Sequence, residues 1–327
     1  MLVDRICGSA SGGLASAGRG TRAAASRTRA PRACSVPSQA MLYSLLHLGG
    51  FPGDVDFYRG RTAGAARILE LGAGDGRVGA VLCADAQYTG VEICAEFATA
   101  ARERVDGTVL EADMFAPLPE GTAPFNAVVL CANTLFCTPR HAELLARCSE
   151  AMAPGGTLLF DVYNAAPWHE EALYIAGGGS AEDGPEVRQR AKGEEGEEGE
   201  EGEESEEGEE SGVGGEGGEG GEGGEFKEDP DLLVRAIDEA GRKWTVFERD
   251  PKVDAAKREI VCAYDFEAES GERASQANTH HYALPEQLRA MLDAAGFEIE
   301  ATFGGFEGEA FDEEESDHLI FAARLRD

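Results

Sequence analysis

The sequence predicts an α/β chain organised on a doubly wound, mostly parallel seven-stranded sheet, with a small antiparallel cap inserted before the last two strands. Three observations lead there. Apolar runs of strand length alternate with helix-compatible stretches between residues 67 and 162. The first run, Ile68 to Leu71, is followed at once by glycines at every second position, Gly72, Gly74 and Gly76. Beyond Lys243 the pattern changes to polar-apolar alternation, then to one helix and two closing strands.

The elements follow in order. Residues 41–66 lead in, with a helical pattern around Leu42, Leu45 and Leu46 and a break at residues 49–53, Gly-Gly-Phe-Pro-Gly. Asp54 is placed to cap a short helix carrying Val55, Phe57, Tyr58 and Arg59. Ile68 to Leu71 reads as a strand buried on both faces, and Val78 to Cys83 as the helix after the glycines. The next steps are strand Gln87 to Glu92 with helix Ala95 to Val105, and strand Thr108 to Leu110 running into Ala112-Asp113-Met114. Strand Phe125 to Cys131 precedes a helix from Arg140 to Met152, and Pro154-Gly155-Gly156 makes a turn into strand Thr157 to Val162. Regularity stops near Trp168. The cap spans 243–283, with strands Lys243 to Glu248, Glu259 to Glu267 and Thr279 to Ala283. Pro285 opens the helix Glu286 to Ala295, which Gly296 ends. Strands Phe297 to Phe303 and His318 to Leu325 close the sheet edge as a hairpin around an acidic loop.

Charge is unevenly placed. The chain has 327 residues and a formal net charge of −33. Residues 1–40 hold six Arg and one Asp, a basic, acid-poor composition that suits a disordered organellar transit peptide, mitochondrial or plastid. The alternative is a tail with no address on a cytoplasmic protein. Residues 192–229 are a Gly/Glu repeat with almost nothing apolar to bury, and are expected to be disordered. The remainder is still acidic, which argues against nucleic acid and against an anionic membrane as partners. The eight cysteines form no C-x-x-C pair, so a reduced compartment without structural zinc is expected.

The chemistry concentrates at strand ends. Gly72 and Gly74 allow a tight turn with no Cβ between backbone and ligand. Glu70, just before them, would repel a pyrophosphate and suits a ligand carrying positive charge. Glu92, ending the second strand, stands where a carboxylate accepts ribose hydroxyls. Asp113 and Met114, after the third, offer an acceptor and a soft apolar face to an adenine. Asp113 could equally cap the following turn.

These residues, residues 70–77 with Glu92, Asp113, Met114, Asn133, Pro154-Gly155-Gly156 and Ala295-Gly296-Phe297, resemble class I S-adenosylmethionine-dependent methyltransferases, in the small-molecule branch. The resemblance implies a Rossmann-like methyltransferase fold over 41–327 and S-adenosyl-L-methionine as cofactor. It implies that Gly72, Ala73 and Gly74 line the methionine part, with Glu70 near its ammonium and Tyr58 over that end. It further implies that Glu92 holds the ribose, with Ile93, Asp113 and Met114 around the adenine. Cys131 and Asn133 would border the sulfonium and the substrate entrance.

A methyltransferase of this kind moves a methyl group to a small-molecule N, O or S nucleophile by in-line displacement. The protein aligns the partners and, where needed, removes a proton. His280, His281 and Tyr163 are the candidate catalytic groups, followed by Asp161 and Asn164. Adjacent strand residues face opposite ways, so at most one of the two histidines faces the site. The cysteines are expected to be packing residues. The rival readings are an NAD(P)-dependent oxidoreductase, since Gly74-x-Gly76-x-x-Gly79 satisfies the dinucleotide pattern in the wrong register, and a non-catalytic methyltransferase-like binding protein.

Overall fold

The computed structural model describes residues 38–46, 50–179, 232–238 and 240–327. The expected disordered tail and Gly/Glu repeat lie outside these residues, apart from the three at 38–40. The chain opens with α1 (Gln39–Leu46) and α2 (Asp54–Arg61), then β1 (Arg67–Leu71), α3 (Gly79–Leu82), β2 (Gln87–Glu92), α4 (Ala95–Arg104) and β3 (Thr108–Glu111). Next come β4 (Phe125–Leu130), a 3-10 turn (Thr134–Cys137), α5 (His141–Ala151), β5 (Met152–Tyr163) and α6 (Ala166–Ala176). Four strands follow, β6 (Leu232–Ile237), β7 (Lys243–Asp254), β8 (Glu259–Ala268) and β9 (Arg273–His281). The chain ends with α7 (Pro285–Ala294), β10 (Phe297–Phe303) and β11 (His318–Leu325).

The main sheet has seven strands in the order β10-β11-β5-β4-β1-β2-β3. β1, β2, β3, β4 and β5 pair in parallel, while β11 runs antiparallel between β5 and β10. The chain turns back between β1 and β4, which opens a crevice at their carboxyl ends. Strand alternation splits the core. Leu69, Leu71, Val128, Leu130 and Phe160 pack on one face with Leu144 and Leu145 of α5 and Leu288 and Leu292 of α7. Ile68, Val129, Leu159 and Ile320 pack on the other with Phe57 and Tyr58 of α2, Val78 and Ala101.

The second sheet is antiparallel, in the order β6-β7-β8-β9. It is larger than the three stretches expected from the sequence. β6 and α6 were not anticipated, and β9 begins at Arg273 rather than Thr279. The segment Arg-Ala-Ser-Gln-Ala-Asn has no strong apolar member, so its ladder with β8 is written in the backbone and not in hydropathy. One helix ties the two sheets together. Leu42 and Leu45 of α1 pack with Trp244, Val246 and Phe266 of the smaller sheet, while the Tyr43 ring meets Phe97 of α4 edge-on at 5.2 Å.

Three local expectations need correcting. Pro154-Gly155-Gly156 is not a turn before β5 but an irregularity within it. The pairing with β4 jumps from Phe125 opposite Met152 to Ala127 opposite Thr157. Asp54 does not cap α2. The N-cap is Gly53, with φ 79° and no side-chain cap. The Asp54 carboxylate is instead buried and takes a bidentate ion pair from Arg77, at 2.9 and 2.5 Å. The helix after the glycines is a single turn.

Candidate active site

The glycine turn is built from β1 and locked to β2. The N–H groups of Gly72 and Ala73 both donate to the Val91 carbonyl, at 2.9 and 3.0 Å. Gly72 has φ 75°, and a Cβ there would lie 2.7 Å from Thr134 Cγ2, so only glycine fits. Gly74 has φ 54° and faces open space, with no atom within 4 Å of where a Cβ would be. Its backbone is therefore bare toward the crevice.

Glu92 fastens that turn. Its Oε2 accepts the Gly74 N–H at 2.9 Å and its Oε1 accepts the Cys94 N–H at 2.8 Å, beside the start of α4. A carboxylate has about four lone-pair sites, so both oxygens keep capacity for a vicinal diol. Ile93, next to it, is 48% exposed, an apolar side chain left uncovered at the crevice. Asp113 Oδ1 accepts the Phe115 N–H at 2.9 Å, the turn-capping arrangement, with its other oxygen outside that bond. Asp113 and Met114 also line a cavity of about 250 Å³ with Leu71, Val91 and Leu110.

Glu70 points away from solvent. Its carboxyl is buried on the face shared with Ile68 and accepts the Tyr88 hydroxyl at 2.5 Å. Burial pushes its pKa up to about 7, against the lowering effects of Tyr88, Cys131 and Arg77. It forms the floor under the turn.

The far side of the crevice is a strained loop after β4. Ala132 and Asn133 both adopt left-handed backbone, φ 52° and 61°, which costs of order 1–3 kcal/mol for each such residue. Asp161 of β5 holds them there. Its oxygens accept the Ala132 N–H at 2.8 Å and the Asn133 N–H at 3.3 Å, and the Tyr58 hydroxyl donates to the same carboxylate. Asn133 Oδ1 in turn accepts the Tyr163 N–H at 2.7 Å. Tyr58 and Asp161 are both completely buried, so each acts beneath the crevice. Asn164 donates to the carbonyls of Glu313 and Ser316 and anchors the acidic loop. Cys131 is buried, which drives its thiol pKa well up. Cys137 is exposed, with Sγ 3.8 Å from the Asn133 carbonyl.

The candidate catalytic groups are separated by the strand. His280 stacks on Tyr163, ring centroids 5.7 Å apart, and Phe136 meets the other edge of Tyr163 at 5.1 Å. His281 faces elsewhere, with Nδ1 3.5 Å from Glu259 Oε1. Burial raises the Tyr163 hydroxyl pKa strongly, so it serves as a donor rather than a base at neutral pH. Sequence reasoning missed Tyr43. Its hydroxyl pKa is pushed up first by burial and then by the charges of Cys137, Glu92 and Asp75. It missed His141 as well, a buried side chain whose burial lowers its pKa and whose Nε2 finds no hydrogen-bond partner among the described residues. Neither carries a motif; both are delivered by packing.

The bare Gly74 backbone, the spare lone pairs of Glu92 and the uncovered Ile93 fit a nucleoside with an attached amino acid. Residues 68–156 match the family model for a methyltransferase domain. No curated protein matches the sequence. Among solved structures, the chain is similar to the CcbJ methyltransferase from Streptomyces caelestis, with 21% identity, TM-score 0.54, and 84% of this chain and 97% of that one covered. It is similar to the sugar N-methyltransferase KedS8 from a Streptoalloteichus species, with 17% identity, TM-score 0.54, and 94% and 100% covered. A third is the amino pentose methyltransferase CalS10 from Micromonospora echinaspora, with S-adenosylmethionine bound, at 17% identity, TM-score 0.51, and 86% and 96% covered. The matched domain carries the glycine turn, Glu92 and Asp113 of this crevice, and the fold is that of the S-adenosylmethionine-dependent methyltransferases that the chain resembles.

Proposed function

We propose that the enzyme methylates an N, O or S nucleophile of a small molecule by in-line displacement, in the space between the glycine turn and the four-stranded sheet. The observation that carries this reading is that β9 brings His280 onto Tyr163 at the end of β5, so the smaller sheet overhangs the crevice where a bound methyl donor would lie. An overhang of that kind suits an acceptor that can be enclosed. The solved relatives named above for sugars and an amino pentose agree with it.

The sulfonium of S-adenosylmethionine supplies the transferable methyl when bound. The chain's own groups then divide the work. Glu92 receives the ribose hydroxyls, the Gly72–Gly74 backbone approaches the methionine part, and Ile93, Asp113 and Met114 surround the adenine. Tyr163 donates a hydrogen bond to the acceptor. His280 takes the proton of a hydroxyl or ammonium nucleophile, and its stacking on Tyr163 fixes the ring for that transfer. Residues 41–327 act as the methyltransferase domain, and the basic, acid-poor residues 1–40 favour import into an organelle.

Incubation with methyl-labelled cofactor and a panel of small amines, alcohols, thiols and carboxylates tests the reading. Label is expected in a small-molecule fraction. Label found only in added basic protein, with the small-molecule panel blank, overturns it.

A further inference from the structure

We infer that the row Glu248–Tyr264–Gln276, crossing β7, β8 and β9, is the recognition wall for the methyl acceptor and selects one that carries a protonated amine. This rests on the small-molecule reading above. In the antiparallel register Glu248 lies opposite Tyr264, and Tyr264 opposite Gln276. Directly opposed residues share a face. It is the inner face, because the next row, Val246, Phe266 and Ala274, packs against α1. At the other end of that face, Ile260 and Cys262 join the core beneath Tyr163 and Tyr282. The polar row is therefore bracketed by two apolar ends, with α1 on one side and β5 on the other.

Its groups are chemically incomplete. Glu248 is only half-buried, and burial raises its carboxyl pKa against a hydrogen bond from the Tyr264 hydroxyl. Gln276 gives its amide N–H to Asn278 at 3.3 Å. Its Oε1 is buried with no partner among the described residues, and so is the Tyr163 hydroxyl. A buried polar atom left unpaired costs about 1–3 kcal/mol, so both await a complementary group. Tyr163 lies within electrostatic reach of Tyr264 and Cys262, which joins the strand-end donor to the same wall.

The set defines its ligand. Glu248 and Gln276 Oε1 accept, so the ligand must present donors there, while Tyr163 needs one acceptor. The inner-face positions of β7, β8 and β9 named here hold a carboxylate and no Lys or Arg. Arg249 pairs with Asp265 on the outer face, through Nε at 2.5 Å. An acceptor with a carboxylate or phosphate at this wall would meet Glu248 unopposed. One with an ammonium would gain a charge-assisted bond, and a neighbouring hydroxyl would satisfy Gln276.

Steady-state methyl transfer on the full chain tests this, with small amines matched to alcohols and carboxylates of the same skeleton. Amines are expected to exceed their matched alcohols at least tenfold in kcat/KM, and carboxylates to be inert. Glu248→Gln should lower kcat/KM for amines at least tenfold through KM, with S-adenosylhomocysteine binding unchanged and Glu248→Asp partly restoring it. Equal kcat/KM for Glu248→Gln and wild type, or preferred transfer to alcohols or carboxylates, overturns the assignment while the small-molecule reading stands. Transfer confined to protein overturns both.

Discussion

The carboxyl of Glu70 is a buried acid that ought to make the fold sensitive to mild alkali. It sits at 2% exposure and finds one hydroxyl, that of Tyr88. In the unfolded chain it titrates near its ordinary value of 4.5, and in the fold at about 7. Between those values the folded state holds a proton that the unfolded state has lost, so stability falls as pH rises. The contribution is complete below about 4.5 and gone above about 7. At about 1.4 kcal/mol per tenfold, the span amounts to about 3 kcal/mol. Glu70→Gln keeps an oxygen for Tyr88 and cannot ionise, so its stability curve lacks that slope. Urea denaturation of both proteins from pH 5 to pH 8 reads the difference directly, since all other titrations are shared. The gap between them should shift in favour of the variant by about 3 kcal/mol across that range, or roughly 6–12 °C in Tm. Parallel curves would refute the reasoning, because they would mean that Glu70 ionises in the fold as it does in the open chain.

Two other outcomes follow from bonds at the crevice. Asp161→Ala strips partners from the Tyr58 hydroxyl and the N–H groups of Ala132 and Asn133, and should cost at least about 3 kcal/mol by urea denaturation, against about 1 kcal/mol for Tyr58→Phe; equal losses would show that the left-handed turn does not depend on Asp161. Glu92→Ala removes the acceptor that fastens Gly74 and Cys94, and should weaken S-adenosylhomocysteine about 10–100-fold in calorimetry. Wild-type affinity in that variant would end the ribose assignment.

The parallel core of the fold was legible because its information is local. β1 and β4 are short apolar runs bounded by turn residues, and the glycines after β1 announce the crevice in the order the chain meets it. β10 and β11 were legible for the same reason. What stayed hidden depends on distance or on backbone. Tyr58 and Asp161 are 103 positions apart, and nothing in either segment names the other. Asp54 reads as a helix cap because Arg77, which claims it, belongs to another element. β9 is a strand because β8 offers it nine successive register partners, while its own residues are polar enough to read as loop. The site divides likewise. The expectation for Glu92 came from its place after β2, while its grip on the Gly74 N–H needed coordinates. The sequence names His280 and His281 only as a pair, and the stacking on Tyr163 tells one from the other.

Helix α1 has eight residues, too few to persist alone in water, where helices shorter than about 12–15 residues are marginal. Its order is thus borrowed from two lenders at once, the apolar end of the smaller sheet and the Phe97 edge of α4. Leu42 and Leu45 face one lender and Tyr43 the other, so one short helix carries side chains into both layers. The segment is a bridge: its winding draws on contacts from both layers, not on the propensity of its own eight residues.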